Sequence, residues 1–271
     1  MKVRKLSKAV GAIIEGVKVH DLSIKTFDAI YRLWLEHSLI IIRNQDIAPD
    51  DQVSFAKRFG DPDSYPFLKG IPGHPEINEV LKDKDDKLNF GGVWHTDTPY
   101  KKKPPKASML YAREIPPSGG DTLFSNQYLA QDHLSDDIKE QIKNRYAIFR
   151  SDPVEVSQTR SSKKSTQLGE DKSFVAHHPI VRTHPETNKK SLYLSPAHTT
   201  QIEGFDTQAS GELLSLLFAH QTKPDFIGRH KWKKGDIIIW DNRCLLHFPI
   251  NDYHGHRRLL HRITLKGDIP R

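Results

Sequence analysis

Asp236-Ile237-Ile238-Ile239-Trp240-Asp241-Asn242-Arg243-Cys244-Leu245-Leu246-His247 joins a strand to a polar turn and ends on a histidine. The short apolar run reads as a buried strand. Asp241-Asn242-Arg243 reads as the turn that delivers His247, a supporting role rather than a catalytic one.

Far upstream, Val93-Trp94-His95-Thr96-Asp97-Thr98 offers a second imidazole and a carboxylate. In a strand, residues i and i+2 point to one side, so His95 and Asp97 face one cavity if residues 92–98 run extended. A distant strand or loop then brings His247 opposite. Two imidazoles and one carboxylate are the donor set of a facial triad, which leaves three positions of a ferrous ion open. Taken alone, His-x-Asp is weak evidence, because it occurs by chance and a lone histidine is more often a packed or surface residue.

Arg257-Arg258-Leu259-Leu260-His261-Arg262-Ile263-Thr264 follows. Period two places Arg258, Leu260, Arg262 and Thr264 on one face and Leu259, His261 and Ile263 on the other. An inward guanidinium grips a carboxylate bidentately, so metal and arginine together suit a dicarboxylate held at both ends. The bland alternative is a surface strand with ordinary ion pairs.

With these residues in place, the chain resembles the TauD/TfdA (taurine dioxygenase-like) group of Fe(II)/2-oxoglutarate-dependent dioxygenases. The likeness runs from Gly11-Ala12-Ile13-Ile14-Glu15-Gly16-Val17 to Leu265-Lys266-Gly267-Asp268. It passes through Ile41-Ile42-Arg43-Asn44-Gln45, Arg58-Phe59-Gly60, Gly119-Gly120-Asp121-Thr122 and His178-Pro179-Ile180-Val181-Arg182-Thr183-His184-Pro185. Each marker is unspecific; all of them in order are very specific. The resemblance implies an α+β fold with a mainly β core, a double-stranded β-helix (jelly roll) with surrounding helices, in one domain over residues 1–271. It implies Fe(II), 2-oxoglutarate and O₂, with release of succinate and CO₂.

The resemblance makes His95, Asp97 and His247 the iron ligands and catalytic centre. It matches Thr122 and Arg258 to the pair that meets the distal carboxylate of 2-oxoglutarate. Arg262 matches the arginine that holds the sulfonate in taurine dioxygenase. Related halogenases lack the carboxylate, so Asp97 points to hydroxylation. Hydroxylating a carbon that bears a sulfonate, sulfate, ether or amine would cleave that bond. Taurine dioxygenase places a histidine and an asparagine on its substrate where this chain has Pro62 and Gly91. Its tyrosine matches Tyr65, and His198 stands where it has an aromatic residue. Arg262, Tyr65, Gly91 and His198 are therefore the expected substrate contacts, for a small anionic substrate other than taurine.

Composition fits this reading. The length of 271 residues suits a single large domain, one cysteine excludes an internal disulfide, and a reducing cytoplasm is the natural expectation. No apolar run reaches a membrane span and the N-terminus lacks an apolar signal core. The net charge of +7 raises nucleic acid as a partner. However, Lys101-Lys102-Lys103 and Ser161-Ser162-Lys163-Lys164 carry no interleaved aromatics, so a solvated surface explains the charge. A small molecule is the expected partner, and the family resemblance implies a homo-oligomer, dimer or tetramer.

Phe27, Ile30, Tyr31, Trp34 and Leu35 predict an amphipathic helix, Leu39-Ile40-Ile41-Ile42 a buried strand, and Pro49 to Phe59 a second helix ended by Gly60. Leu134 to Tyr146 and Leu213 to His220 also read as helical. Residues 151–173, rich in Ser, Lys, Gln and Thr, read as a mobile loop, either a lid or a passive connection. Residues 81–88 read as a segment that orders on substrate binding. His177, His178, His184, His254, His256 and His261 read as structural or exposed. Two other readings remain: a zinc-type hydrolase on the same ligands, which leaves Thr122 and Arg258 unexplained, and a non-catalytic jelly-roll binding protein.

Overall fold

The computed structural model describes residues 1–63, 69–89, 91–153 and 173–271. Its large sheet runs Lys2–Lys5, Ala12–Glu15, Leu39–Ile42, Ile237–Asp241, Ala107–Glu114, Arg258–Leu265. The last strand also pairs with both Pro62–Asp63 and Asn78–Lys82. Pairing is antiparallel except where Ala12–Glu15 meets Leu39–Ile42. Ile227–His230, Thr122–Asn126 and Leu245–Pro249 form a smaller sheet.

Strand periodicity sorts the core into two layers. Ile40, Ile42, Ile237, Ile239, Ile263 and Leu265 pack outward with Phe27, Trp34, Phe55 and Phe59 of the helices Ile24–His37 and Pro49–Lys57. Leu39, Ile41, Ile238, Trp240 and Leu260 point the other way, onto Phe124 and Leu245 of the small sheet. Leu39-Ile40-Ile41-Ile42 is wholly apolar because both of its faces are covered. Apolar residues contributed by both sheets enclose the interior of the jelly roll, where the candidate site lies.

The outer layer fixes the arginine strand. The first helix is capped by Ser23, whose hydroxyl accepts from the Thr26 amide at 3.1 Å, and it ends at Ser38 with φ +60°. The second starts on Pro49, and its Gln52 amide donates to the His261 carbonyl at 3.0 Å. This bond ties the helix to the back of Arg258–Leu265 while Arg258 and Arg262 look inward.

Two expected elements differ in extent. Between Leu134 and Tyr146 only Asp136–Ile142 is helical. Asn144 takes φ +57°, which asparagine tolerates, and Tyr146 then opens the strand Tyr146–Arg150. The helix expected at 213–220 is longer, Thr207–Gln221, because Asp206 accepts from the Ala209 amide at 2.8 Å and starts it nearly two turns earlier. The loop expected at 151–173 lies mostly outside the described residues. Among those described, no helix is long and apolar enough to cross a membrane.

Candidate active site

His95 and His247 face each other as an isolated antiparallel bridge, each amide donating to the other's carbonyl, at 3.0 and 2.8 Å. This corrects one expectation: residues 92–98 are not a strand. Gly91 (φ +78°) and Thr98 (φ +40°) turn the backbone on either side, so pairing lasts for one residue pair only. The juxtaposition nevertheless follows, because one ligand aligns the backbone of another. Thr96 Oγ1 donates to the Asn242 carbonyl at 2.9 Å, and the Asp97 amide donates to Asn242 Oδ1 at 3.3 Å. The 241–243 turn thus grips the segment carrying His95 and Asp97.

His95, Asp97 and His247 are all buried, and each offers a ligand atom within 4.8 Å of the others. His95 Nδ1 lies 2.6 Å from the Val93 carbonyl, so it carries the hydrogen and leaves Nε2 as the free lone pair. His95 Nε2 stands 3.9 Å from Asp97 Oδ1. His247 Nδ1 is buried without a hydrogen-bond partner. The His247 ring sits 4.7 Å from that of Trp240 and 4.0 Å from that of His95.

Burial pushes both imidazoles toward the neutral form, His247 down to about 3. For Asp97 burial alone would favour the acid, but His247, Arg262, His95 and the Ser108 hydrogen bond together hold its carboxyl below the usual range. Two neutral nitrogen donors and one anionic oxygen, converging within 4.8 Å of one another, fit a divalent transition metal.

The same cavity is lined by Thr122, Arg258 and Arg262, with apolar walls from Val80, Leu110 and Leu260. Both arginines are only 4% exposed. In the sheet register Arg262 stands opposite Leu110, two residues from the Ser108 that bonds Asp97, whereas Arg258 lies four residues farther along its strand. Arg262 therefore lies on the triad's side and Arg258 at the far end. There the Arg258 guanidinium packs over Trp232 at 5.2 Å and Tyr253 at 5.8 Å. Trp232 Nε1 donates to Thr122 Oγ1 at 3.0 Å.

The expected substrate contacts divide. Gly91 lies against the metal-facing edge of His95: a Cβ there would stand 2.6 Å from His95 Cε1 and 3.0 Å from Nε2. His198 is buried but is not among the residues lining this cavity. Its Nδ1 donates to the Arg150 carbonyl at 3.1 Å, and its ring packs edge-on against Tyr100. Tyr65 lies outside the described residues. Pro62 pairs with Leu265 at the sheet edge.

Sequence reasoning missed Trp232 and Ser108. The signal for Ser108 was available: a lone hydroxyl in the otherwise apolar strand stretch Ala107-Ser108-Met109-Leu110. Behind the turn lies a buried ionic cluster. Arg243 donates from Nε to Asp241 Oδ1 (2.8 Å) and from Nη2 to Oδ2 (2.7 Å), and from Nη1 to Glu186 (2.6 Å). Tyr31 donates to Glu186 and His184 to Asp241, at 2.6 and 3.0 Å.

The family model for taurine catabolism dioxygenase TauD, TfdA family matches residues 2–264. An alkylsulfatase of Acinetobacter baylyi is 31% identical over 276 residues, covering 99% of this chain and 86% of the relative. An alpha-ketoglutarate-dependent sulfate ester dioxygenase of Pseudomonas putida is 30% identical over 283 residues, covering 100% and 91%. The crystal structure of a taurine dioxygenase from Burkholderia xenovorans superposes with a TM-score of 0.84 at 33% identity, covering 99% of this chain and 92% of that one.

Proposed function

The chain belongs to the taurine catabolism dioxygenase TauD, TfdA family, and we propose that this member oxidises a small organic sulfate ester or sulfonate other than taurine. It is an Fe(II)/2-oxoglutarate-dependent dioxygenase. The metal-hydrolase and non-catalytic readings are set aside by that membership. When bound, Fe(II) supplies the site for O₂ activation, coupled to conversion of 2-oxoglutarate to succinate and CO₂.

His95, Asp97 and His247 hold the metal. Thr122 and Arg258, lining the same cavity as the triad, would hold the distal carboxylate of 2-oxoglutarate. Arg262 holds the anionic head of the substrate. The observation that carries the substrate reading is this single buried guanidinium on the triad's side of a cavity walled by Val80, Leu110 and Leu260. A tetrahedral oxyanion on an apolar body suits both surfaces, because a guanidinium presents fixed N–H donors to an oxyanion and apolar walls reject a polar tail. The asparagine that taurine dioxygenase places on its substrate has no counterpart here, since Gly91 stands at that place and has no room for a side chain. For a sulfate ester, hydroxylating the carbon that bears the ester oxygen leaves a hydroxy-sulfate that collapses to an aldehyde and hydrogen sulfate.

The test is succinate formation by the Fe(II)-loaded enzyme across alkyl sulfates, alkylsulfonates, aryloxy acids and taurine, with released sulfate or sulfite measured alongside. Sulfate or sulfite appearing in step with succinate is the expected outcome. Best turnover with taurine or an aryloxy acid would overturn the substrate reading.

A further inference from the structure

The hydrogen bonds behind Asp97 have a fixed direction. Trp240 Nε1, which can only donate, gives its hydrogen to Asn242 Oδ1 at 2.8 Å. The Asp97 amide points at the same oxygen, at 3.3 Å. Asn242 is thereby oriented with Nδ2 on the opposite side, where it donates to Ser108 Oγ at 3.1 Å. A hydroxyl that accepts there has its own hydrogen left for one other neighbour. That neighbour is Asp97 Oδ2, 2.5 Å away. The other carboxylate oxygen, Oδ1, is the one near His95 Nε2. Trp240, Asn242, Ser108 and Asp97 are all at least nine-tenths buried, so water does not compete for these bonds.

We propose that Ser108 is a positioning residue for the metal: polarised by Asn242 and Trp240, it holds Asp97 Oδ2 and presents Oδ1 as the one ligating oxygen. The inference rests on Asp97 being a metal ligand. Two consequences follow. The carboxylate cannot swing to bind through both oxygens, which would consume a position that co-substrate or O₂ needs. Its orientation is also set before the metal arrives, so less freedom is lost on binding. The signal lies in this chain's own sequence: a serine whose neighbours Ala107, Met109 and Leu110 are apolar and whose strand is buried on both faces.

The test uses the full-length protein, stripped of metal and titrated with Mn(II), free aqueous Mn(II) being read by electron paramagnetic resonance. Thermal unfolding of each metal-free variant checks folding. Ser108→Ala should raise the Mn(II) dissociation constant by roughly ten- to a hundredfold, with little change in unfolding temperature, and Ser108→Thr should recover most of the loss. Asp97→Ala tests the underlying ligand assignment by itself. In the Asp97→Ala background, Ser108→Ala should change the dissociation constant no further. Wild-type affinity in folded Ser108→Ala would overturn the proposal. So would an undiminished effect of Ser108→Ala once Asp97 is gone, or a folded Ser108→Thr that binds no better than Ser108→Ala. Wild-type affinity in Asp97→Ala would instead overturn the ligand assignment.

Discussion

Trp232 Nε1 donates to Thr122 Oγ1 at 3.0 Å, and both side chains are buried. The indole can only donate, so the Thr122 oxygen is spent as an acceptor and its hydrogen is free for an incoming carboxylate. The same indole is the surface over which the Arg258 guanidinium packs. Trp232 therefore sets both halves of the distal clamp. Trp232→Phe keeps the ring and loses the N–H, which amounts to about 1 kcal/mol. The KM for 2-oxoglutarate should rise about fivefold with kcat little changed. In a Thr122→Val background the same substitution should add nothing, as steady-state succinate kinetics will show.

The two arginines should separate kinetically. Arg258→Met removes a buried charge from the distal clamp, a loss of about 2–5 kcal/mol, so the KM for 2-oxoglutarate should rise about thirtyfold or more. Arg262→Met should weaken the primary substrate instead. Slow succinate formation from 2-oxoglutarate alone should persist in that variant and lose its stimulation by substrate. Equal effects of both variants on the 2-oxoglutarate KM would refute this division.

Gly91 gives a prediction of opposite sense to simple homology. Restoring the asparagine of taurine dioxygenase would ordinarily be expected to restore taurine turnover. Here φ is +78° and a Cβ would meet His95 Cε1 at 2.6 Å. Backbone strain and displacement of a ligand ring should act together. Gly91→Asn and Gly91→Ala should both lose at least tenfold in kcat/KM and in Mn(II) affinity, with no gain on taurine in the succinate assay.

What the sequence made legible was the chemistry and the strands that carry it. The period-two split of Arg258–Leu265 placed both arginines inward, and the apolar runs 39–42 and 237–240 marked central strands. What it hid was backbone geometry and partner identity. His95 and Asp97 share a side because Asn242 grips a turn, not because they lie on a strand. Their spacing suits either arrangement, so it could not distinguish them. Trp232 was hidden, since a tryptophan among lysines acquires meaning only through Thr122 and Arg258; the lone serine of 107–110 was visible, but its partners Asn242 and Asp97 were not. His198, which the family resemblance put among the substrate contacts, packs edge-on against Tyr100 and bonds the Arg150 carbonyl.

The turn itself should be costly to disturb. Arg243 is 2% exposed and satisfies Asp241 and Glu186 together. Burial alone would raise the Asp241 carboxyl, yet Arg243 holds it far below the usual range. Arg243→Leu leaves the buried Asp241 carboxylate without its guanidinium, which costs about 3–5 kcal/mol in comparable buried pairs. Urea unfolding should show a loss of that order, accompanied by weaker Mn(II) binding because Asn242 is no longer held.

Acid sensitivity should trace in part to His178. Its Nε2 donates to the Pro99 and Lys101 carbonyls at 2.8 and 3.0 Å, just beyond the segment that carries His95 and Asp97. Burial pushes its imidazole down to about 4, despite those two carbonyls. An unfolded histidine titrates near 6.5, so between roughly pH 6.5 and 4 the unfolded chain binds a proton that the native protein refuses. Stability contributed by this group is complete above about 6.5 and is lost as the pH falls through that window, by about 2 kcal/mol at pH 5. His178→Gln keeps an N–H to donate but cannot titrate. The stability lost by the metal-free protein between pH 7 and pH 5, measured by urea unfolding, should shrink by about that amount in the variant. An unchanged loss would mean that His178 already accepts its proton in the native protein at pH 5.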